Sequence, residues 1–211
     1  MRTRIKVCGI TRLGDALRAA DLGADAVGFV FWPGSPRCVS PAQAAAITAA
    51  LPPFVAAVGV FVDQPLGEIR SIASAVGLSA IQLHGDEPPA SWGRVPGRCI
   101  KAVGAGAGYD APAVAAWPSD VWPRVDALDP ERRGGTGRAA DWAFAEAIAR
   151  ARPVILAGGL DASNVHEAIA RVHPYAVDVS SGVEREPGIK DPDRLRAFIE
   201  AVRAADTAHL P

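Results

Sequence analysis

The chain has 211 residues, 49% hydrophobic and 21% charged, which is enough apolar content for a substantial core and argues against disorder. Its 22 basic and 23 acidic residues are well mixed, for a net charge of −1 with no basic stripe or acidic tail, so neither nucleic acid nor a membrane surface is expected as a partner. No apolar run is long enough to span a bilayer and no signal peptide is recognised. Three scattered cysteines (Cys8, Cys38, Cys99) lack metal or disulfide spacing, so a reducing cytoplasm is the expected location.

Taken in chain order, one pattern recurs: a short apolar run, a Gly- or Pro-marked turn, a helical stretch, then another apolar run. The runs are Ile5–Cys8, Ala26–Phe31, Val55–Val62, Ala80–Leu83, Cys99–Val103, Val121–Asp126, Val154–Leu156 and Ala176–Val179. They start roughly 20–30 residues apart, the length of one β/α unit. Helical apolar spacing marks Ile69, Ile72, Ala73 and Val76, then Val165, Ala168, Ile169 and Val172, then Leu195, Phe198, Ile199 and Val202. Asp191-Pro192 reads as an N-cap followed by a proline in the first helical turn.

Near-continuous apolar strands alternating with amphipathic helices predict a parallel sheet covered on its faces. Eight units in this length predict one α/β domain over residues 1–211, a (β/α)₈ TIM barrel. An open doubly wound sheet fits less well, because no Gly-x-Gly-x-x-Gly opens a helix near the start. The sixth unit is the irregular one. Pro123 falls inside a would-be central strand, so either the strand begins after it or the register slips there.

In a barrel the strand ends meet at one rim, where ligands bind. Those ends are Cys8, Phe31-Trp32-Pro33 with Ser35-Pro36-Arg37 beyond, Asp63, His84-Gly85, Lys101 or Gly104, Asp126, Gly158-Gly159 and Ser180-Ser181-Gly182. The last two turns suit a phosphate, since glycine lets backbone approach an anion and serine adds a donor. An isolated Cys8 is otherwise an ordinary small buried residue. Opposed across a mouth to a carboxylic acid whose pKa a sheltered setting raises, however, a thiol can act as base while the acid donates a proton. That pairing suits an aldose–ketose isomerisation. Asp126 is the candidate acid and Asp129 its competitor. Arg37 suits a carboxylate or phosphate, His84 a ligand hydrogen bond, and Gly134-Gly135-Thr136-Gly137 a lid over the site.

These segments together resemble the N-(5′-phosphoribosyl)anthranilate isomerase family of tryptophan biosynthesis. The matching stretches are Lys6-Val7-Cys8-Gly9-Ile10-Thr11, Gly28-Phe29-Val30-Phe31 with Ser35-Pro36-Arg37, and Val58-Gly59-Val60-Phe61-Val62. Gln82-Leu83-His84-Gly85-Asp86-Glu87, Gly134-Gly135-Thr136-Gly137 and Asp141-Trp142 follow, then Leu156-Ala157-Gly158-Gly159-Leu160 through Asn164-Val165, and Val177-Asp178-Val179-Ser180-Ser181-Gly182-Val183-Glu184. The resemblance implies a (β/α)₈ barrel that needs no cofactor and no metal and works on a small phosphorylated substrate, as a monomer or homodimer. It implies an Amadori rearrangement of phosphoribosylanthranilate to 1-(2-carboxyphenylamino)-1-deoxyribulose 5-phosphate. It further implies Cys8 as the base at the sugar C2′ and Asp126 as the acid at the ring oxygen. Arg37 would lie against the anthranilate, His84 and Asp178 would line the site, and the phosphate would sit on Gly158, Gly159, Ser180, Ser181 and Gly182. The chain departs from the family at Arg124-Val125, where an apolar pair usually precedes the acid, at Ala140 and in the glycine-rich stretch 104–108. Three other readings share the barrel: a non-catalytic phosphoribosyl-ligand binding protein, the histidine-pathway aminoaldose isomerase and a pentose-phosphate epimerase. The second uses carboxylates where Cys8 stands, and the third wants metal ligands on several strand ends.

Overall fold

The computed structural model describes residues 2–105, 108–126 and 141–208. Eight parallel strands close into a barrel: β1 Arg4–Cys8, β2 Ala26–Val30, β3 Ala56–Phe61, β4 Ala80–Leu83, β5 Arg98–Val103, β6 Val121–Val125, β7 Ile155–Leu156 and β8 Ala176–Val179. Closure is made by β1, which pairs with β2 through Val7↔Val27 and with β8 through Ile5↔Val177. The helices α1 Leu13–Asp21, α2 Pro41–Ala49, α3 Leu66–Val76, α4 Pro89–Trp92, α5 Ala111–Ala115, α6 Trp142–Ala149, α7 Val165–Val172 and α8 Pro192–Ala208 alternate with the strands. No described helix is long and apolar enough to cross a membrane.

Side chains alternate along each strand between two cores. Ile5, Val7, Val27, Phe29, Ile81 and Leu83 belong to the core shared with the helices. There the apolar stripes read from the sequence are buried: all four named residues of α7, and Leu195, Phe198, Ile199 and Val202 of α8. Each such side chain contributes roughly 1.5–3 kcal/mol over leaving it in water. In α3, Ile69, Ala73 and Val76 are buried, and Ile72 is only partly covered. The N-terminus of α8 is capped as expected, with Asp191 Oδ1 accepting from the backbone N–H groups of Asp193 and Arg194 at 3.0 Å each.

The second core fills the barrel. Val58, Ala80, Ile100, Ile155 and Ala176 form an apolar floor. One layer nearer the mouth the same face carries Gln82, two residues beyond Ala80, Asp178, two beyond Ala176, Arg124, two beyond Trp122 that packs on the floor, and Lys6 from β1, all four buried. A polar layer therefore lies between the floor and the mouth.

Pro123 stands within β6, so the alternative in which the strand starts after it does not hold. The ladder shows why it is tolerated. Asp126 N–H donates to Val103 on β5, which puts the amide position of Pro123, three residues back, on the β7 side. Pairing with β7 begins only at Arg124↔Ile155, so no ladder bond is lost. One further feature falls outside the sequence reading: a hairpin of β9 Glu184–Glu186 and β10 Ile189–Lys190, turned at Gly188 (φ 82°), between β8 and α8.

Candidate active site

Cys8 ends β1, directly opposite Gly28 in the ladder. A Cβ on Gly28 would lie 2.7 Å from Cys8 Sγ and 3.1 Å from Lys6 Nζ, so this glycine leaves the space that both side chains occupy inside the barrel. Gly9 turns the chain at φ 74°, and the Arg37 side chain crosses it: a Cβ there would meet Arg37 Cδ at 2.5 Å. Arg37 is forked onto Glu184, with Nε to Oε1 at 2.9 Å and Nη2 to Oε2 at 2.6 Å. Lys190 donates from Nζ to Glu184 Oε1 at 2.8 Å and to the Cys8 carbonyl at 2.5 Å. Burial alone would raise the Glu184 carboxyl, but Arg37 and Lys190 overcome this and hold it below the usual range. The hairpin thus fixes both the backbone of Cys8 and the orientation of Arg37.

On the far side of the mouth Asp126 follows the last residue of β6. Its Oδ2 accepts from Arg124 Nη1 at 2.7 Å and lies 3.5 Å from His84 Nε2. Arg124 Nε also donates to Asp178 Oδ2 at 2.5 Å, and Lys6 Nζ donates to that same oxygen at 2.9 Å. Lys6 reaches Gln82 Oε1 at 3.1 Å, and Gln82 Nε2 stands 3.2 Å from His84 Nδ1. An ammonium only donates, so the Gln82 atom facing Lys6 is its oxygen and its amide donates to His84 Nδ1. The proton of a neutral His84 is then on Nε2, aimed toward Asp126. Burial, with Arg124 next in weight, pushes the His84 imidazole down to about 4, so it is neutral at pH 7.

These contacts close a ring: Lys6, Gln82, His84, Asp126, Arg124, Asp178 and back to Lys6. Burial favours protonation of Asp126, yet Arg124 and His84 outweigh it and hold the carboxyl below its ordinary value. This corrects the expectation of a carboxyl raised by shelter alone. At neutral pH the group is an ion, because a guanidinium stands two residues before it on the same face of β6.

Loops seven and eight meet as expected. Gly158 (φ 82°) and Gly159 (φ 63°) form a left-handed turn after β7. Asn164 pins it, donating from Nδ2 to Gly159 O at 2.8 Å and accepting from Asp161 N–H at 3.0 Å. Ser180 leads into a 3₁₀ turn over Ser181–Val183, where a Cβ on Gly182 would lie 2.0 Å from the Leu160 carbonyl oxygen. Only glycine lets the two loops approach this closely.

The barrel therefore brings Cys8, Arg37, His84, Asp126, Gly158, Gly159, Ser180, Ser181 and Gly182 to one end. Asp178 sits lower, its side chain wholly buried beneath Lys6 and Arg124. Asp129 and the lid residues Gly134, Gly135, Thr136 and Gly137 lie outside the described residues. Sequence reasoning missed Lys6, Gln82, Arg124, Glu184 and Lys190. For the first three the signal was present, since polar residues interrupt apolar strands at the period-two positions of the inner face. A cavity of about 870 Å³ opens at the opposite end, among Thr3, Arg152, Tyr175 and Arg203. No strand C-terminus reaches it, and in barrels of this kind chemistry sits at the strand C-termini.

A model of the family described as N-(5′-phosphoribosyl)anthranilate (PRA) isomerase matches residues 5–201. The N-(5′-phosphoribosyl)anthranilate isomerase of Azotobacter vinelandii is 50% identical over 205 residues, covering 96% of this chain and 98% of that one. The phosphoribosyl anthranilate isomerase structure from Thermotoga maritima superposes with a TM-score of 0.87 at 43% identity, over 96% of this chain and 99% of the other. A further structure of this kind, in complex with reduced 1-(o-carboxyphenylamino)-1-deoxyribulose 5-phosphate, gives a TM-score of 0.84 at 41% identity, with coverage of 96% and 99%.

Proposed function

This chain belongs to the N-(5′-phosphoribosyl)anthranilate isomerase family, and from that premise we propose that Cys8 and Asp126 serve two consecutive steps of its Amadori rearrangement. The observation that carries the reading is the convergence on one barrel mouth of a thiol, a hydrogen-bonded carboxyl and the glycine turns of loops seven and eight. The reaction is that of an isomerase of tryptophan biosynthesis, an intramolecular aldose–ketose conversion.

In the first step Asp126 gives its proton to the furanose ring oxygen. The C1′–O bond breaks, and the anilino nitrogen lone pair forms C1′=N. In the second step the Cys8 thiolate removes the proton from C2′, and those electrons form C1′=C2′ while the nitrogen regains its pair. The enolamine then collapses in order: C1′ takes the proton held by Cys8, leaving a protonated C2′ ketone, and the O2′ proton of that ketone then returns to Asp126. Both groups end as they began.

Asp126 must carry a proton when the ring opens, whereas Arg124 holds it ionised. The substrate supplies the change. Its carboxylate and phosphate bring negative charge and displace water, and both effects raise a nearby carboxyl. Neutral His84, with its Nε2–H toward Asp126, stabilises the carboxylate left after proton transfer. Arg37, already oriented by Glu184, takes the anthranilate carboxylate. Asp178 supports this set from below. We place the protein in a reducing cytoplasm, on the strength of the three free cysteines.

Turnover tests the activity itself: purified protein should abolish the fluorescence of phosphoribosylanthranilate, whereas binding without loss of signal would mean a scaffold. The phosphate subsite has its own test in Gly182→Ala. The new Cβ must push apart the backbones of loops seven and eight. KM for substrate should rise about tenfold or more, while kcat falls far less, because a binding contact shared by ground and transition states is lost. An unchanged KM would remove the phosphate from these turns.

A further inference from the structure

The ring beneath the mouth gives Arg124 a place that the acid–base pair alone does not explain. Its guanidinium is buried and spends two of its edges on two carboxylates, Asp126 at 2.7 Å and Asp178 at 2.5 Å. Asp178 is held in turn by Lys6, and Lys6 holds Gln82, which fixes the tautomer of His84. Arg124 thus touches both the acid and the buried Asp178 beneath it. Cys8 on β1 lies within Coulombic reach of the same guanidinium.

We propose that Arg124 is a positioning residue for the general acid. It locks one oxygen of the Asp126 carboxyl in place and keeps that group ionised until an anionic substrate closes the site. The proposal rests on the reading of Asp126 as the acid, and it adds how that acid is aimed and gated. A carboxyl at a strand end that has no such tether is free to turn, and misplacement by about 1 Å can cost on the order of a hundredfold in rate. The gating follows from the surrounding charges. Among the described residues, those facing Asp126 are Arg124 on its own strand, His84 at the end of β4, and Asp178 on β8; Lys6 on β1 and Lys101 on β5 face the His84 beside it. His84 is neutral at pH 7, and Arg124 brings a full positive charge into contact with the carboxyl.

The sign of the pH effect follows. An acid must be protonated to act, so kcat falls as pH rises through its pKa in the substrate complex. Arg124 pulls that pKa down. Removing the positive charge raises it and moves the falling limb to higher pH.

Two substitutions separate charge from shape: Arg124→Gln removes the charge and keeps a hydrogen-bonding side chain, while Arg124→Lys keeps the charge and loses the fork. For the Gln variant we expect kcat at pH 7 to fall about tenfold or more with KM within about threefold. Its falling limb should lie about one pH unit higher, an ordinary response to losing a contacting charge. The Lys variant should recover the position of the limb and only part of kcat. A second readout needs no substrate. Followed by NMR in the unliganded protein, the His84 imidazole should titrate above about 4 in the Gln variant, since Arg124 helps to hold it down. A Gln variant with wild-type kcat and limb overturns the proposal. So does one that loses rate while both limb and His84 titration stay put, because the arginine would then be a structural brace. Failure of the acid assignment shows differently: an active Asp126→Asn variant with the His84 shift still present in Arg124→Gln.

Discussion

Replacing Cys8 with serine should lower kcat by about 10²–10⁴-fold, the usual worth of a positioned general base. The substitution is nearly isosteric, so the space left by Gly28 still accommodates it and Lys6 keeps its place. What changes is acidity. A thiol gives up its proton far more readily than a serine hydroxyl, which keeps its own and cannot take one from carbon. Thermal stability should stay within a few degrees of wild type. Affinity for phosphate should be unchanged, because the glycine turns lie on β7 and β8. The other cysteines serve as controls. Burial pushes the Cys99 thiol up to about 12 and raises that of Cys38, so neither offers a thiolate. Alanine at either position should leave kcat within about twofold, since neither supplies a general base. A Cys8→Ser enzyme with near-normal kcat would remove Cys8 from the chemistry.

Asp126→Asn should be as damaging, lowering turnover by about 10²–10⁴-fold, while product still binds. Asparagine fills the same volume but has no acidic proton to give the ring oxygen. It also takes one carboxylate from Arg124, leaving that guanidinium to Asp178. Stability should therefore fall measurably, though by less than the roughly 3–5 kcal/mol of stranding a buried charge. Asp129→Asn is expected to cost little, since Asp129 precedes Pro130 in a polar turn sequence. An active Asp126 variant beside an inactive Asp129 variant would exchange their roles.

The fold was legible because its signal is repeated. Each strand is an apolar run and each long helix carries a stripe, so a local error costs at most one unit. Pro123 shows the limit: proline in a central strand looks forbidden until the partner strand is seen to begin one residue later. The placement of the candidate site was legible at the strand ends, where Cys8, Asp126 and the two glycine turns do come to one end of the barrel. One layer down, the sequence marks polar residues on the inner face but not their partners. Nothing near Lys6, Gln82 or Arg124 in the sequence says that three different strands bring them into one ring, because barrel closure alone sets those distances. Arg37 illustrates the same point. Its residue type suggested a free anion receptor, but the hairpin after β8 supplies Glu184 and the fork is already engaged. The acidity of Asp126 was misjudged for this reason too, since shelter raises a carboxyl only when no cation shares the shelter.

The central claim is that Asp126 and Cys8 act in sequence, one opening the ring and the other moving the carbon-bound proton. The most direct test is kcat of the Cys8→Ser/Asp126→Asn double variant, measured by substrate fluorescence at saturation against both single variants. An acid that catalyses ring opening also catalyses closure, so its loss leaves unchanged the equilibrium on which Cys8 draws. The times of consecutive steps add, so two slowed steps give a double variant within about threefold of the slower single one rather than the product of both losses. If the two losses instead multiply, both residues act in one transition state and the two-step account is wrong.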